Sequence, residues 1–248
     1  MSGHSKWSSI KRKKGVKDAA RGRLFSRLIR EITVAARQGG GDAAGNSRLR
    51  LAVQTAKDNN MPQDNINRAI KKGTGEAGGA AYEEVTYEGY GPNGIALLID
   101  TLTDNKNRTT AEVRHALAKH NGNLGETGCV AWQFKTKGVI FVSSDKCDEE
   151  KLLEIALEAG AEDVKDEGDG FEILCSLSDF EDVRQAVVDA GIEYQSAEIQ
   201  KIPSDLIKLD GDDARRIIKL MEVLEDLEDV QRVSANFDVP QEILQEEE

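Results

Sequence analysis

The chain has 248 residues, of which 39% are hydrophobic and 31% charged, with four prolines: the balance of a soluble globular protein with room for two or three small cores. Its longest apolar run, 95–99, is far too short to span a bilayer, and its basic start has no apolar segment behind it, which excludes a secretory signal. Cys129, Cys147 and Cys175 are odd in number, widely spaced and without a Cys-x-x-Cys pair, which argues against a disulfide scaffold or cysteine zinc site and suits a reducing cytoplasm.

In chain order, residues 1–17 show no apolar periodicity and read as a basic arm. From Asp18 the pattern is helical: Leu24, Phe25, Leu28, Ile29, Ile32 and Ala36 share one face, with Arg23, Arg27, Arg30 and Arg37 opposite. Gly39-Gly40-Gly41 ends that helix. A second helix follows Asn46, with Leu49, Val53 and Ala56 as its core edge. A third begins at Pro62, turns Ile66 and Ile70 inward and stops at Gly73. The glycine-rich stretch 73–81 reads as a linker, because it follows a helix and precedes a strand, the reverse of a dinucleotide-binding loop.

Beyond it the period changes. Residues 84–90 and 95–103 are expected to be strands joined by a turn at Gly91-Pro92-Asn93-Gly94, followed by a helix at 109–119 and a strand at 130–134. Residues 139–202 then run strand, helix, strand, strand, helix, strand, the order of a ferredoxin-like sandwich. A helix at 212–227 and a strand at 230–236 close the pattern and supply what the sheet begun at residue 84 lacks. The expected fold is therefore multi-domain α and α+β. It has an arm (1–17), a three-helix head (18–75), a discontinuous α+β domain (82–136 with 204–240) and a ferredoxin-like α+β domain (137–203) inserted in it.

Charge carries the functional signal. The net charge is −12, yet residues 1–75 hold 17 Lys and Arg against five Asp and Glu, a net +12, whereas 76–248 carry −24. A segregated positive field points to a polyanion partner, the plainer alternative being cations that only solvate helix surfaces. In the arm, Trp7 lies among His4, Lys6, Lys11, Arg12, Lys13, Lys14 and Lys17. An indole can stack on an unpaired base while the cations follow phosphates; Arg23, Arg27 and Arg30 extend that charge. Asn105, Lys106, Arg108 and Arg114 form a second candidate polar surface, with a plain helix cap as the alternative. His115 and His120 lie five residues apart, about 140° around a helix, which does not suit a shared zinc ion. No nucleophile–base pair, metal cluster or cofactor loop emerges from the spacing.

Several segments together resemble the YebC family. They are Gly3-His4-Ser5-Lys6-Trp7, Gly40-Gly41-Asp42, Asn46-Ser47-Arg48-Leu49-Arg50, the stretch 60–75 (NMPQDNINRAIKKGTG), Tyr87-Glu88-Gly89-Tyr90-Gly91-Pro92, 104–109, Glu112-Val113-Arg114-His115 and Gly122-Asn123-Leu124-Gly125. Two positions depart from its pattern: Cys129 stands where serine is common, and Asn121 replaces a glycine. The resemblance implies a three-domain cytoplasmic protein, in bacteria described as a DNA-binding transcriptional regulator, with mitochondrial relatives that activate translation and bacterial ones linked to ribosomes stalled on proline-rich sequence. With the motif starting at residue 3, a bacterial cytoplasmic member is expected. The expected function is non-enzymatic binding of nucleic acid, DNA or ribosomal RNA, with the ribosome as a further partner, no membrane, no metal and no cofactor.

Overall fold

A computed structural model describes residues 18–76, 78, 81–240 and 242–243. The arm, with His4, Lys6, Trp7, Lys11, Arg12, Lys13, Lys14 and Lys17, lies outside the described residues. The described residues divide into two compact units, the smaller formed by 132–208 with 234–238 and the larger by 18–131 with 209–233 and 239–243.

The larger unit begins with three helices, α1 (Asp18–Gly39), α2 (Ser47–Asp58) and α3 (Gln63–Gly73). Their apolar stripes meet in one core of Leu28, Ile32, Ala35, Ala36, Leu49, Ala52, Ala56, Met61, Ile66 and Ala69. Each large aliphatic side chain buried there contributes about 1.5–3 kcal/mol. Asn46 fixes the α1–α2 corner: its Oδ1 accepts from the Leu49 amide at 3.0 Å, and its Nδ2 donates to the carbonyls of Ala35 (2.8 Å) and Gly40 (2.9 Å). At the α1–α3 crossing Gly73 is packed so closely that a Cβ there would lie 2.4 Å from the Thr33 carbonyl oxygen and 2.7 Å from the Ala36 Cβ.

The same unit continues with β1 (Glu83–Tyr90) and β2 (Ala96–Thr103), antiparallel from Glu83↔Thr103 to Tyr90↔Ala96. The connection is a single turn of 3₁₀ helix, Pro92–Gly94, in which Asn93 holds φ 59°. Then come α4 (Lys106–Lys119) and β3 (Asn123–Leu124), and, after the second unit, α7 (Gly211–Asp226) and β9 (Val230–Ala235). The sheet order is β3-β1-β2-β9. Asn121, at the position where the family pattern has glycine, holds φ 59°, a left-handed conformation that asparagine tolerates better than most residues.

The strand expected at 130–134 is not formed. Residues Ala131–Gln133 make a 3₁₀ turn, and the short β3 takes the sheet edge instead, with Gly89 opposite Leu124. The cause is Glu88, whose buried carboxylate accepts the amides of Gly128 (2.6 Å), Val130 (2.8 Å) and Ala131 (2.8 Å). Backbone donors gathered on one carboxylate are not available to a ladder.

The smaller unit holds β4 (Phe134–Ser143), α5 (Glu149–Glu158), β5 (Ala161–Asp166), β6 (Gly170–Cys175), α6 (Phe180–Asp189) and β7 (Ser196–Pro203). Its antiparallel sheet runs β5-β6-β4-β7, the ferredoxin-like order, and it is inserted between β3 and α7. A parallel pair, β8 (Ile207–Lys208) with β10 (Phe237–Asp238), lies in the same unit.

Candidate nucleic-acid interface

Arg23, Arg27 and Arg30 recur on α1 at four- and three-residue steps, so they share one face. That face meets the end of α7. The last turn of α7 has no basic residue of its own, and its final carbonyls carry the negative end of the helix dipole. Arg27 donates to the carbonyl of Glu225, and Arg30 donates to both the carbonyl and the carboxylate of Glu228. Arg23 lies 3.2 Å from the Asp226 carboxylate. Burial holds the Arg27 pKa below its ordinary value, against the opposing pull of Glu225. Arg30, placed opposite the apolar face in the helical reading, is only 7% exposed. Spacing alone defines a stripe but not what the stripe faces. Here it is a polyanion made by the chain itself.

The contact continues into a polar cluster that the sequence did not reveal. Asp229, 1% exposed, lies with Oδ1 3.6 Å from Arg30, while its Oδ2 accepts from Thr103 (3.1 Å), Thr109 (2.7 Å) and Arg108 (2.6 Å). Burial alone would raise the Asp229 pKa. The hydrogen bonds from Arg108, Thr109 and Thr103 outweigh it and hold the group below the ordinary aspartate value. This cluster absorbs part of the second candidate surface. Asn105 caps α4, accepting from the Arg108 amide at 3.1 Å, and Arg108 is shared between Asp104 (2.9 Å) and Asp229. Lys106 and Arg114 remain exposed. A third tie joins head and sheet: Arg48 bonds Glu31 at 2.7 Å and Glu84 at 2.5 Å, which raises its own pKa and lowers that of Glu84.

Of the arginine face of α1, Arg27 and Arg30 are therefore turned to the end of α7, while Arg23 and Arg37 stay exposed. Arg21, Arg37, Arg50, Lys57, Arg68 and Lys71 are exposed. Arg37 and Lys72 line a cleft of about 490 Å³ where the C-termini of α1 and α3 converge, and Lys72 Nζ lies 4.9 Å from the centre of the Tyr82 ring. Cations at helix C-termini complement the dipoles, so the cleft has a structural explanation.

Burial pushes all three thiols above the ordinary cysteine value, Cys175 to about 11, opposite to an activated nucleophile. His115 is exposed on α4 and His120 caps its end; burial, Lys119 and Lys219 lower the His120 pKa. Among the described residues no group of three or more His, Cys, Asp or Glu is placed to hold a metal, and no helix is long and apolar enough to cross a membrane.

Two family models together match most of the chain. Residues 5–76 match the family model described as the TACO1/YebC protein N-terminal domain, and residues 82–237 the one described as the TACO1/YebC second and third domain. A protein of Syntrophus aciditrophicus named "Probable transcriptional regulatory protein" is 56% identical over 246 residues, covering 99% of this chain and 98% of that one. A protein of Geobacter sulfurreducens with the same descriptive name is 58% identical over 239 residues, 96% of each chain. A solved structure, a conserved hypothetical protein from Aquifex aeolicus, is 48% identical with a TM-score of 0.85, covering 92% of this chain and 94% of that one.

Proposed function

This chain belongs to the TACO1/YebC family, and we propose that it is a non-enzymatic, nucleic-acid-binding regulator of gene expression that acts on DNA in transcription. The observation that carries this reading is the segregation of charge, +12 in the first 75 residues against −24 in the remainder. A module of that sign gains affinity for polyanions by releasing their condensed counterions, while the acidic body discourages wrong contacts. The names of the relatives, transcriptional regulatory proteins, support the same reading.

Because Arg27 and Arg30 are engaged by the end of α7, phosphate contact falls first to Lys6, Lys11, Arg12, Lys13, Lys14 and Lys17 of the arm. The half-exposed Arg23 and the exposed helix cations would extend it. Trp7 would stack on a base. Phosphate contacts alone carry no sequence information, so promoter choice would rest on further contacts or on DNA shape.

The test is a salt titration of binding to duplex DNA by the full chain and by the triple change Lys11→Glu, Arg12→Glu, Lys13→Glu. The slope of log K against log salt should flatten by about 0.9 for each lost duplex contact. An unchanged slope removes the arm from the interface. The site of action is read from a sucrose gradient of lysate with DNase and high-salt controls. Recovery of discrete promoter fragments supports transcription. Salt-sensitive comigration with ribosomes that survives DNase replaces it with the translational alternative, in which a Trp-bearing arm contacts irregular ribosomal RNA.

A further inference from the structure

One helix of the smaller unit carries a pattern that works against its own stability. The segment 148–158, which contains α5, has five acidic residues and one basic one. Asp148 caps the helix, and Glu149 and Glu150 suit its positive end. Glu154 and Glu158 have no such role. Glu158 stands in the last turn, where the dipole disfavours a carboxylate and no basic residue answers it. Glu150, Glu154 and Glu158 recur at four-residue steps, so three like charges line up along the helix and repel one another. All three are exposed, and among the described residues none of their carboxylates, nor that of Glu149, is held in an ion pair.

Beside this line of charge runs an apolar one. Leu153 and Leu157, one turn apart, are 39% and 48% exposed, while Leu152 and Ala156 already fill the buried face of the same helix. Ala161, just beyond α5, pairs with Cys175 of β6, and a Cβ on Gly160 would lie 3.3 Å from the Asp179 Cβ. Leu177, 52% exposed, is thereby brought to the C-terminal end of α5. A single exposed leucine needs no explanation, but three together beside a ladder of carboxylates mark a contact surface.

The charge decides what covers it. Nucleic acid and an anionic membrane are repelled by the glutamates. A second copy of this chain, presenting the same face, would set glutamate against glutamate. The arm has the right sign but no apolar periodicity with which to cover two leucines one turn apart. We propose that the Leu153–Leu157 face of α5 docks a cationic amphipathic helix of a protein partner, with the partner's apolar stripe on the leucines and its lysines or arginines along Glu150, Glu154 and Glu158. With 10 residues, about 15 Å of helix, α5 offers a small contact of the transient kind. This surface lies outside the nucleic-acid reading and does not depend on it.

The probe is a fluorescein-labelled peptide of leucine and lysine whose leucines recur at three- and four-residue steps, titrated with the full chain and followed by anisotropy. A peptide of the same composition with its leucines scattered around the helix is the control, and it should bind about fivefold more weakly or worse. Leu153→Ala with Leu157→Ala should weaken binding of the amphipathic peptide by about tenfold. Glu150→Gln with Glu154→Gln and Glu158→Gln should weaken it by about fivefold and flatten its salt dependence, while the melting temperature holds or rises because the repulsions are gone. Since the changed side chains are exposed, neither set should alter the circular dichroism. Equal binding of the two peptides, or unchanged affinity in the leucine variant, overturns the proposal. So does a gain in affinity on changing Lys11, Arg12 and Lys13 to Gln that vanishes in the leucine variant, which would make the arm the occupant.

Discussion

Asp229 joins the head to the sheet, and removing its carboxylate should cost more than any surface ion pair. In Asp229→Ala the hydroxyls of Thr103 and Thr109, both buried, lose an acceptor, at about 1 kcal/mol each. Arg30 loses one of its two carboxylates in a buried setting, for about another 1–2 kcal/mol. Arg108 adds nothing to this sum, because solvent screens it. The expected loss is about 3–4 kcal/mol, which in a chain of this size lowers the melting temperature by about 6–15 °C. Denaturant unfolding of wild type, Asp229→Ala, Arg30→Met and the double variant supplies the measurement. The double variant should recover at least 0.5 kcal/mol relative to additivity. A loss below about 1 kcal/mol, or strict additivity, would refute the account. The same group makes stability depend on pH. Its folded pKa is held below the unfolded value of about 3.9, so the native state binds fewer protons. The contribution is complete above that value and is lost as pH falls through the folded one, so Asp229→Asn should blunt acid unfolding in that window and leave the slope near neutrality unchanged.

Three further outcomes follow from the packing. Gly73→Ala gains helix propensity but drives a methyl into the Thr33 carbonyl and Ala36, so a net loss of about 1–2 kcal/mol is expected; a stabilised variant would mean α1 and α3 separate freely. Glu88→Gln replaces an acceptor of three amides with a group that can accept only through one oxygen. It should cost about 2–3 kcal/mol and speed hydrogen exchange at residues 128, 130 and 131; unchanged exchange would contradict the role given to Glu88. Changing Arg27 and Arg30 together to Gln should lower stability and leave the salt slope of nucleic-acid binding intact. A slope reduced by about 1.8 would instead return both residues to the phosphate interface.

What was legible in the sequence is what depends on local period. The apolar stripe of α1 from Leu24 to Ala36, the cap at Asn46, the turn at 91–94 and the strand–helix order of the inserted sandwich all follow from side-chain spacing and turn chemistry. The misread segment, 130–134, failed because its amides are claimed by Glu88, some 40 residues earlier, and no local pattern records such a bond. The arginine stripe was visible but its destination was not. Arg27 and Arg30 meet carbonyls and carboxylates 198 residues away, and only the absence of a basic residue in the last turn of α7 hinted at the need. In the sequence Asp229 is one acid beside Glu225, Asp226 and Glu228, with no local mark of its burial. Its burial is a property of the packing of α1, α4 and β2 around it.

The insertion also bears on the order in which the chain folds. The sheet of the larger unit needs β9 beside β2, yet the whole of 132–208 intervenes between the two parts of that domain. Phe134 and Pro203 are cross-strand partners, so the folded sandwich holds the first residue of β4 and the last of β7 side by side. Closing a flexible loop of about 75 residues, against one of about five, costs roughly 2 kcal/mol more in chain entropy. A sandwich that forms first has already met that cost and hands over two neighbouring ends. Pulse-labelled hydrogen exchange during refolding should therefore protect β4 and β7 before β9, and protection in the opposite order would show that the larger unit closes around a still unfolded guest.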